Sequence, residues 1–370
     1  MYKYQSIISW YVTYYYLLYK LLYLNMSTVT NMKEDLDTVC NNKRHITDND
    51  NDVLTKVQKL EEANTNNVVQ RVKRKNYVMM LCYLGKNYHG MQKNPNTKTI
   101  EEDLLTALLK ADLITQEIFD NIREINFQRA ARTDKGVSAV RQIVSLKLPE
   151  TVDKEEINKH LPQEIRVFGL KRVTKHFNSK IQCSARTYRY VVPTFAFPYT
   201  EFRLSPELLD RINTIAKSFE GTHNFHNFTS KIPSDPSAYR YIISCSCINT
   251  FISNDMEFAI IEIKGQSFML HQIRKMVAVL IGIARNIVTD DIINEMYKHD
   301  KICAPVAPSL GLSLNYVHYD RYNKRYGNDG IHEILEWKEC DEEIEKFQKE
   351  YILKHVIDTE IAEKTYPFKK

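Results

Sequence analysis

From residue 76 the chain becomes patterned. "NYVMMLCYLG", residues 76–85, is a continuous apolar run of strand length closed by glycine, the form of a central strand. "TIEEDLLTALLKADLI" follows, with Thr99 and Glu102 at capping-box spacing and Leu104, Leu105, Leu108 and Leu109 on one face, which predicts a helix. "RQIVSLKL", residues 141–148, puts Val144, Leu146 and Leu148 on one side of a second strand. The same order recurs downstream. "ARTYRYVV", residues 185–192, alternates Tyr188, Tyr190 and Val192, and a helix is predicted from Ser205 (N-cap) and Pro206 through Leu208, Leu209, Ile212, Ile215 and Phe219 to Gly221 past its end. Two strands, "YRYIISCSCINTFI" and "MEFAIIEIKG", flank Ser253, Asn254 and Asp255 in a predicted hairpin. "LHQIRKMVAVLIGIARN" carries Ile273, Met276, Val277, Leu280, Ile281 and Ala284 at the helical period, and "LSLNYVHY" is a last strand. Two successive strand-and-helix sets predict an α+β fold of two related lobes sharing an antiparallel sheet. No period of 20 to 50 residues repeats, which argues against a solenoid.

Outside this core the pattern fades. Residues 31–69 are polar, with "ITDNDNDVLTKVQKLEEANTNN" lacking a sustained apolar period, and predict a disordered or loosely helical leader. "RVKRK", residues 71–75, closes it with four basic residues in five: a nuclear-import patch, a phosphate contact or a solvated cluster. The first 25 residues are apolar and tyrosine-rich, with Lys20 inside the run and no arginine. They match neither a signal peptide nor a spanning helix well. With Met26 and Met32 following, they read as an upstream extension absent from the working protein or as a targeting or membrane-associated segment. Towards the other end, "ECDEEIEKFQKEYILKHVIDTEIAEK" is highly charged with sparse apolar positions and predicts an appended outer helix. The expected organisation is a leader over 1–70, an N-terminal lobe over 76–180, a C-terminal lobe over 181–320 and a helical extension over 321–370.

Composition narrows the classes. An apolar content of 43% in 370 residues provides for a sizeable core. Fifty-one basic residues against 46 acidic give +5, too mild for a purely electrostatic nucleic-acid binder but compatible with a local positive surface. Seven scattered cysteines do not make a disulfide framework and fit a reducing compartment. Cys245 and Cys247, one residue apart in a predicted strand, are spaced too closely for a zinc knuckle and read as buried thiols.

No phosphate-binding glycine loop, dinucleotide fingerprint, zinc-protease helix or nucleophile elbow occurs. What stands out is "RAARTDKGVS", residues 129–138. Thr-Asp-Lys-Gly is good turn chemistry, with Gly136 permitting positive φ, so a structural turn and a catalytic Asp134 are both open on this stretch alone. Tyr188 lies on a strand, where a core role is the plain reading. Arg274 lies near the start of a helix, where the macrodipole favours anions, so it needs an anionic partner such as Asp134 unless it is simply solvated beside Lys275.

The ordered set "RAARTDKGVSA", "ARTYRY" and "HQIRKM" resembles the three motifs of the TruA family of pseudouridine synthases, across residues 76–320 without a large gap. "GTHNFHNFTS", "APSLGL" and "RYGNDGIHE" are similar to its eukaryotic branch. The resemblance implies two RRM- or ferredoxin-like lobes forming a continuous, mostly antiparallel sheet flanked by helices, and an RNA uridine isomerase acting on tRNA, with mRNA or snRNA as further substrates. It implies Asp134 against the ribose, as nucleophile or as base toward a sugar proton. Tyr188 is then the aromatic that stacks on the uracil and helps move its C5 proton, and Arg274 the ion-pair partner of Asp134. Arg129, Arg132, Lys135, Arg141, Arg186 and His89 are the expected RNA contacts, with Arg132 pushing the target nucleotide out; His223 and His226 are expected to pack against Phe225 and Phe228. Met91 stands where the family often has an aromatic. The resemblance also implies no metal or organic cofactor, since an isomerisation needs no redox partner or group donor. It implies a nuclear and also mitochondrial location, no membrane role for the core, and leaves monomer and homodimer open. Two other readings stand beside it: an inactive RNA-binding or chaperone protein on the same fold, and an interaction protein acting through its appended segments.

Overall fold

The computed structural model describes residues 73–197 and 203–366; the predicted leader, the first 25 residues, and Arg71 and Val72 of the basic cluster lie outside the described residues. β1 (Arg74–Tyr83) is buried from Asn76 to its end, because it runs between β3 and β4 with both faces covered. α1 (Ile100–Lys110) begins where its capping box predicts, with the Thr99 hydroxyl accepting the Glu102 amide at 3.3 Å. α2 (Gln116–Asp120), β2 (Gln128–Arg129), β3 (Ser138–Pro149), α3 (Lys154–His160) and β4 (Ile165–Arg172) complete the first strand-and-helix set. The second consists of β5 (Ala185–Pro193), α4 (Pro206–Lys217) capped by Ser205, β6 (Gly221–Asn224), β7 (Tyr239–Ser253), β8 (Met256–Gly265), α5 (Gln272–Ala284), α6 (Ile292–Tyr297) and β9 (Leu312–His318). α7 (Asp320–Tyr326), α8 (Asp341–Phe347) and α9 (Lys354–Glu363) follow.

The strands form one nine-stranded sheet in the order β4-β1-β3-β9-β5-β8-β7-β6, with β2 on β3, so the α+β expectation of a continuous, mostly antiparallel sheet flanked by helices holds. The one parallel ladder is β3 with β9, and it sets up the site. Ala139 lies opposite Leu314, and Leu314 lies opposite Tyr188, so the end of the Asp134 loop and the predicted stacking tyrosine fall on one row across the sheet.

The β7–β8 hairpin is tighter than predicted: Asn254 and Asp255 alone make the turn, both at positive φ (48° and 61°), a conformation that Asn and Asp tolerate better than most residues. Cys245 and Cys247 are buried free thiols on β7, as expected. His226 is buried and His223 stacks on Tyr297 at 4.2 Å, so both pack rather than face solvent. No helix of the described residues is long and apolar enough to cross a membrane.

The C-terminal helices are more deeply integrated than their charged sequence suggests. Trp337 packs against β4 at Gly169, where an added Cβ would meet its ring at 2.3 Å. Ile344 and Phe347 are buried, Phe168 meets Phe347 edge-on at 5.8 Å, and Val356 and Ile357 cover Val191 and Phe258. Few apolar positions suffice here because each one meets a sheet already rich in aliphatic side chains.

Candidate active site

The Asp134 loop connects β2 to β3 and is fixed from below by the turn that leaves β1. The Tyr83 hydroxyl meets Thr133 Oγ1 at 2.7 Å, the Met91 amide donates to the Thr133 carbonyl at 3.1 Å, and the Gly136 amide donates to the Tyr88 carbonyl at 3.2 Å. The Val137 amide closes the turn on the Asp134 carbonyl at 3.1 Å. Gly136 sits at φ 77°, which its lack of a Cβ allows. Turn and presentation of the carboxylate are thus one structure: Thr133 is buried, Asp134 half-buried and Lys135 exposed.

Asp134 lines a cavity of about 980 Å³, at the upper end of the usual size of ligand sites. Tyr188 lines it too, only 8% exposed, with its ring edge-on to Phe268 at 5.2 Å. Burial pushes the Tyr188 phenol well above its ordinary value, so it is protonated at neutral pH, and its hydroxyl bonds to none of the described residues.

His89, Arg129, Arg132, Lys135, Arg186 and Arg274 also line the cavity, which brings eight of the nine predicted site residues together. Their side chains are not equally available. Arg132 and Lys135 are exposed. Arg129 is turned onto the buried carboxylate of Glu101, with Nε to Oε2 at 2.8 Å and Nη2 to Oε1 at 3.0 Å. Arg186 clamps carbonyls, donating to Ala130 from Nε at 2.9 Å and Nη2 at 2.5 Å, and from Nη1 to Gln266 at 2.8 Å. It fastens the Asp134 loop to the end of β8.

Two of the expected contacts are not made in this structure. Arg141 is not beside the cavity: its guanidinium pairs with Asp341 at 2.8 Å and lies over Tyr316, beneath the C-terminal helices. Arg274 closes no ion pair with Asp134; its Nε donates to the Ala307 carbonyl at 2.6 Å, and Asp134 attracts it only across the cavity. A helix-start arginine can be satisfied by a carbonyl of a neighbouring loop, which spacing in the sequence does not reveal.

Sequence reasoning missed other residues here. Among the described residues, Lys180, Lys231 and Arg240 bring the lining to eight cations, with Asp134 its single acid. They come from loops and from a strand near the sheet edge, where no periodicity marks them. His271 also lines the cavity, held at φ 60° immediately before α5; burial pushes its imidazole below the ordinary value, so it is neutral at pH 7 although Asp134 pulls the other way. Its place inside "HQIRKM" was the available signal.

One acid on a rigid loop, an aromatic floor and a rim of cations are the layout of an enzyme that acts on a single nucleotide drawn from a polyanionic chain. Residues 215–320 match the family model described as tRNA pseudouridine synthase. The Pseudouridylate synthase 1 homolog of Homo sapiens is 47% identical over 300 residues, spanning 78% of this chain and 70% of that protein. Its counterpart in Mus musculus is 44% identical over 310 residues, with 80% and 73% covered. The tRNA pseudouridine synthase 1 of Yarrowia lipolytica is 34% identical over 380 residues, with 77% and 71% covered. The chain belongs to the TruA-type tRNA pseudouridine synthase family.

Proposed function

We propose that Asp134 is the group that acts on the ribose when this enzyme converts a uridine of tRNA into pseudouridine. The observation that carries the reading is the isolation of Asp134, among the described residues the single acid on a cavity lined by eight cations. The reaction conserves atoms: the C1′–N1 bond breaks, the uracil turns, C5 bonds to C1′, C5 loses a proton and N1 gains one. A carboxylate serves this sequence as nucleophile at C1′ or as base toward a sugar proton, and returns unchanged. Tyr188 stacks on the detached uracil, which keeps it in the pocket while it turns, and the unengaged hydroxyl relays the C5 proton. Arg274, fastened to Ala307, supplies positive charge across the cavity from the carboxylate.

Extruding the uridine costs a few kcal/mol of stacking, offset by phosphate contacts and the aromatic floor. The exposed Arg132 is placed to take the vacated position, while Lys135, Lys180 and Arg240 hold neighbouring phosphates. Arg129 and Arg186, already engaged, shape the loop rather than bind RNA. Structured uridines of mRNA and snRNA fit the same shape-reading site, and the basic run over 71–75 supports a nuclear location alongside a mitochondrial one. An inactive binding protein would not need an acid and an unengaged tyrosine brought to one cavity.

The test is site-mapped pseudouridine formation by the full chain on unmodified tRNA transcripts and on mRNA and snRNA fragments. Pseudouridine at discrete tRNA positions supports the reading; tRNA binding with no pseudouridine overturns it.

A further inference from the structure

Arg274 owes its position to the loop between α6 and β9, and that loop is held from beneath by the C-terminal tail. The clasp at its near end is reciprocal: Arg274 Nε donates to the Ala307 carbonyl at 2.6 Å, and the Ala307 amide donates to the Arg274 carbonyl at 3.2 Å. One residue on, the Pro308 carbonyl accepts from the Tyr190 hydroxyl at 2.8 Å. Another residue on, Ser309 lies against Gly136 of the Asp134 loop, so close that a Cβ on Gly136 would come within 2.8 Å of its Oγ. Residues 307–309 therefore touch Arg274 and, at Gly136, the Asp134 loop.

The Tyr190 hydroxyl has a second partner, the hydroxyl of Tyr366, at 2.5 Å. The direction of that bond follows from proton counting. A carbonyl only accepts, so Tyr190 spends its single proton on Pro308 and must accept from Tyr366. Tyr366 is delivered by a hook built for it. α9 ends at Lys364, whose φ of 44° turns the chain back, and Thr365 binds the buried Glu360 through both its amide, at 3.1 Å, and its hydroxyl. Residues 353, 356 and 357 meanwhile pack on Val191, the neighbour of Tyr190. A buried carboxylate held by both the amide and the hydroxyl of Thr365 is more than is needed to end a helix.

We propose that Tyr366 is a positioning residue for the isomerisation: through Tyr190 and Pro308 it fixes the loop that sets Arg274 and Gly136, and hence the spacing of Arg274 and Asp134. This rests on the active-site reading above. Tyr366 touches no substrate, so its loss acts on turnover and leaves RNA affinity alone.

The experiment compares the full chain with Tyr366→Phe, Tyr190→Phe and the double variant. It measures single-turnover pseudouridine formation at saturating enzyme, tRNA Kd and melting temperature. Tyr366→Phe should lower the single-turnover rate about fivefold to tenfold, the effect of one hydrogen bond that matters in the transition state, with Kd within about twofold. Because Tyr366 acts through Tyr190, the double variant should be no slower than Tyr190→Phe alone. A Tyr366→Phe rate equal to the parent's, whatever the melting temperature, overturns the proposal, as does a double variant that multiplies the two losses. A parent that forms no pseudouridine overturns the site reading and this proposal together, whereas an active parent with an unaffected Tyr366→Phe overturns this proposal alone.

Discussion

Gly90→Ala offers a way to move Asp134 without touching the cavity's chemistry. Gly90 lies in the turn after β1 at φ 104°, and an added Cβ would stand 2.7 Å from the backbone carbonyl oxygen of Thr133, the residue before Asp134. Ordinary contact begins near 3.4 Å, so one of the two chains must retreat by about 0.7 Å. Neither yields easily. The Gly90 side is tied to α1 by the Ile100 amide at 3.2 Å, and Thr133 is tied to Tyr83 and Met91. The backbone strain at this φ adds about 1–3 kcal/mol of destabilisation. That corresponds to a melting temperature lower by roughly 2–10 °C for a domain of this size. Displacements approaching 1 Å at a reacting group cost about a hundredfold in rate, so single-turnover pseudouridine formation should fall about 10²-fold. Affinity for tRNA, which the proposed phosphate contacts elsewhere on the rim carry, should change less than about threefold. Rapid-quench assays at saturating enzyme, run below the variant's melting temperature, separate these effects. Rate and melting temperature both near the parent's would refute the argument that this close approach fixes the catalytic loop.

Two further outcomes follow from the same geometry, and a third from the basic run over 71–75. Lys180→Ala should weaken tRNA binding and reduce the slope of log Kd against log salt by about 0.7–0.9, one phosphate's share, whereas Arg141→Ala should leave the slope unchanged and lower stability by about 1 kcal/mol through loss of its Asp341 pair. Equal slopes for the two variants would return Arg141 to the RNA surface. Tyr83 is fully buried and its phenol is pushed up to about 12, so its contribution is complete below pH 10, where the unfolded phenol begins to ionise, and is lost as pH rises towards 12. That loss is on the order of 3 kcal/mol, and denaturant melts between pH 9 and 11.5 should show a shallower decline for Tyr83→Phe than for the parent. On the proposed nuclear location, substituting Arg71 and Lys73 by Gln should reduce nuclear accumulation of the tagged chain, and unchanged imaging would leave the basic run as a solvated cluster.

What the sequence disclosed depended on whether a local rule carried the information. Thr99 and Ser205 mark their helices because a cap needs only the residues that follow it. The buried face of α5 appears directly in the spacing of Ile273, Met276, Val277 and Leu280. β4 escaped notice because it is an edge strand with only alternate residues buried, interrupted by Gly169, whose missing side chain makes sense only under Trp337. Within the site, Asp134 and Tyr188 were singled out through motifs, but the row that joins Tyr188 to Ala139, at the end of the Asp134 loop, depends on the parallel β3–β9 ladder, a pairing between segments some 175 residues apart. The same distance hid what each cation does. Arg129, Arg141, Arg186 and Arg274 look alike in sequence, yet Glu101, Asp341, two carbonyls and Ala307 respectively take their guanidinium groups.

The most direct measurement of the central claim is site-mapped pseudouridine formation on unmodified tRNA by Asp134→Asn beside the parent chain, with tRNA Kd determined for both. Asn keeps the volume and removes the charge, so the account predicts no detectable pseudouridine from the variant over times that complete the parent's reaction, with Kd no weaker than the parent's. Pseudouridine formed by Asp134→Asn at a comparable rate would contradict it and return Asp134 to the part of a turn residue.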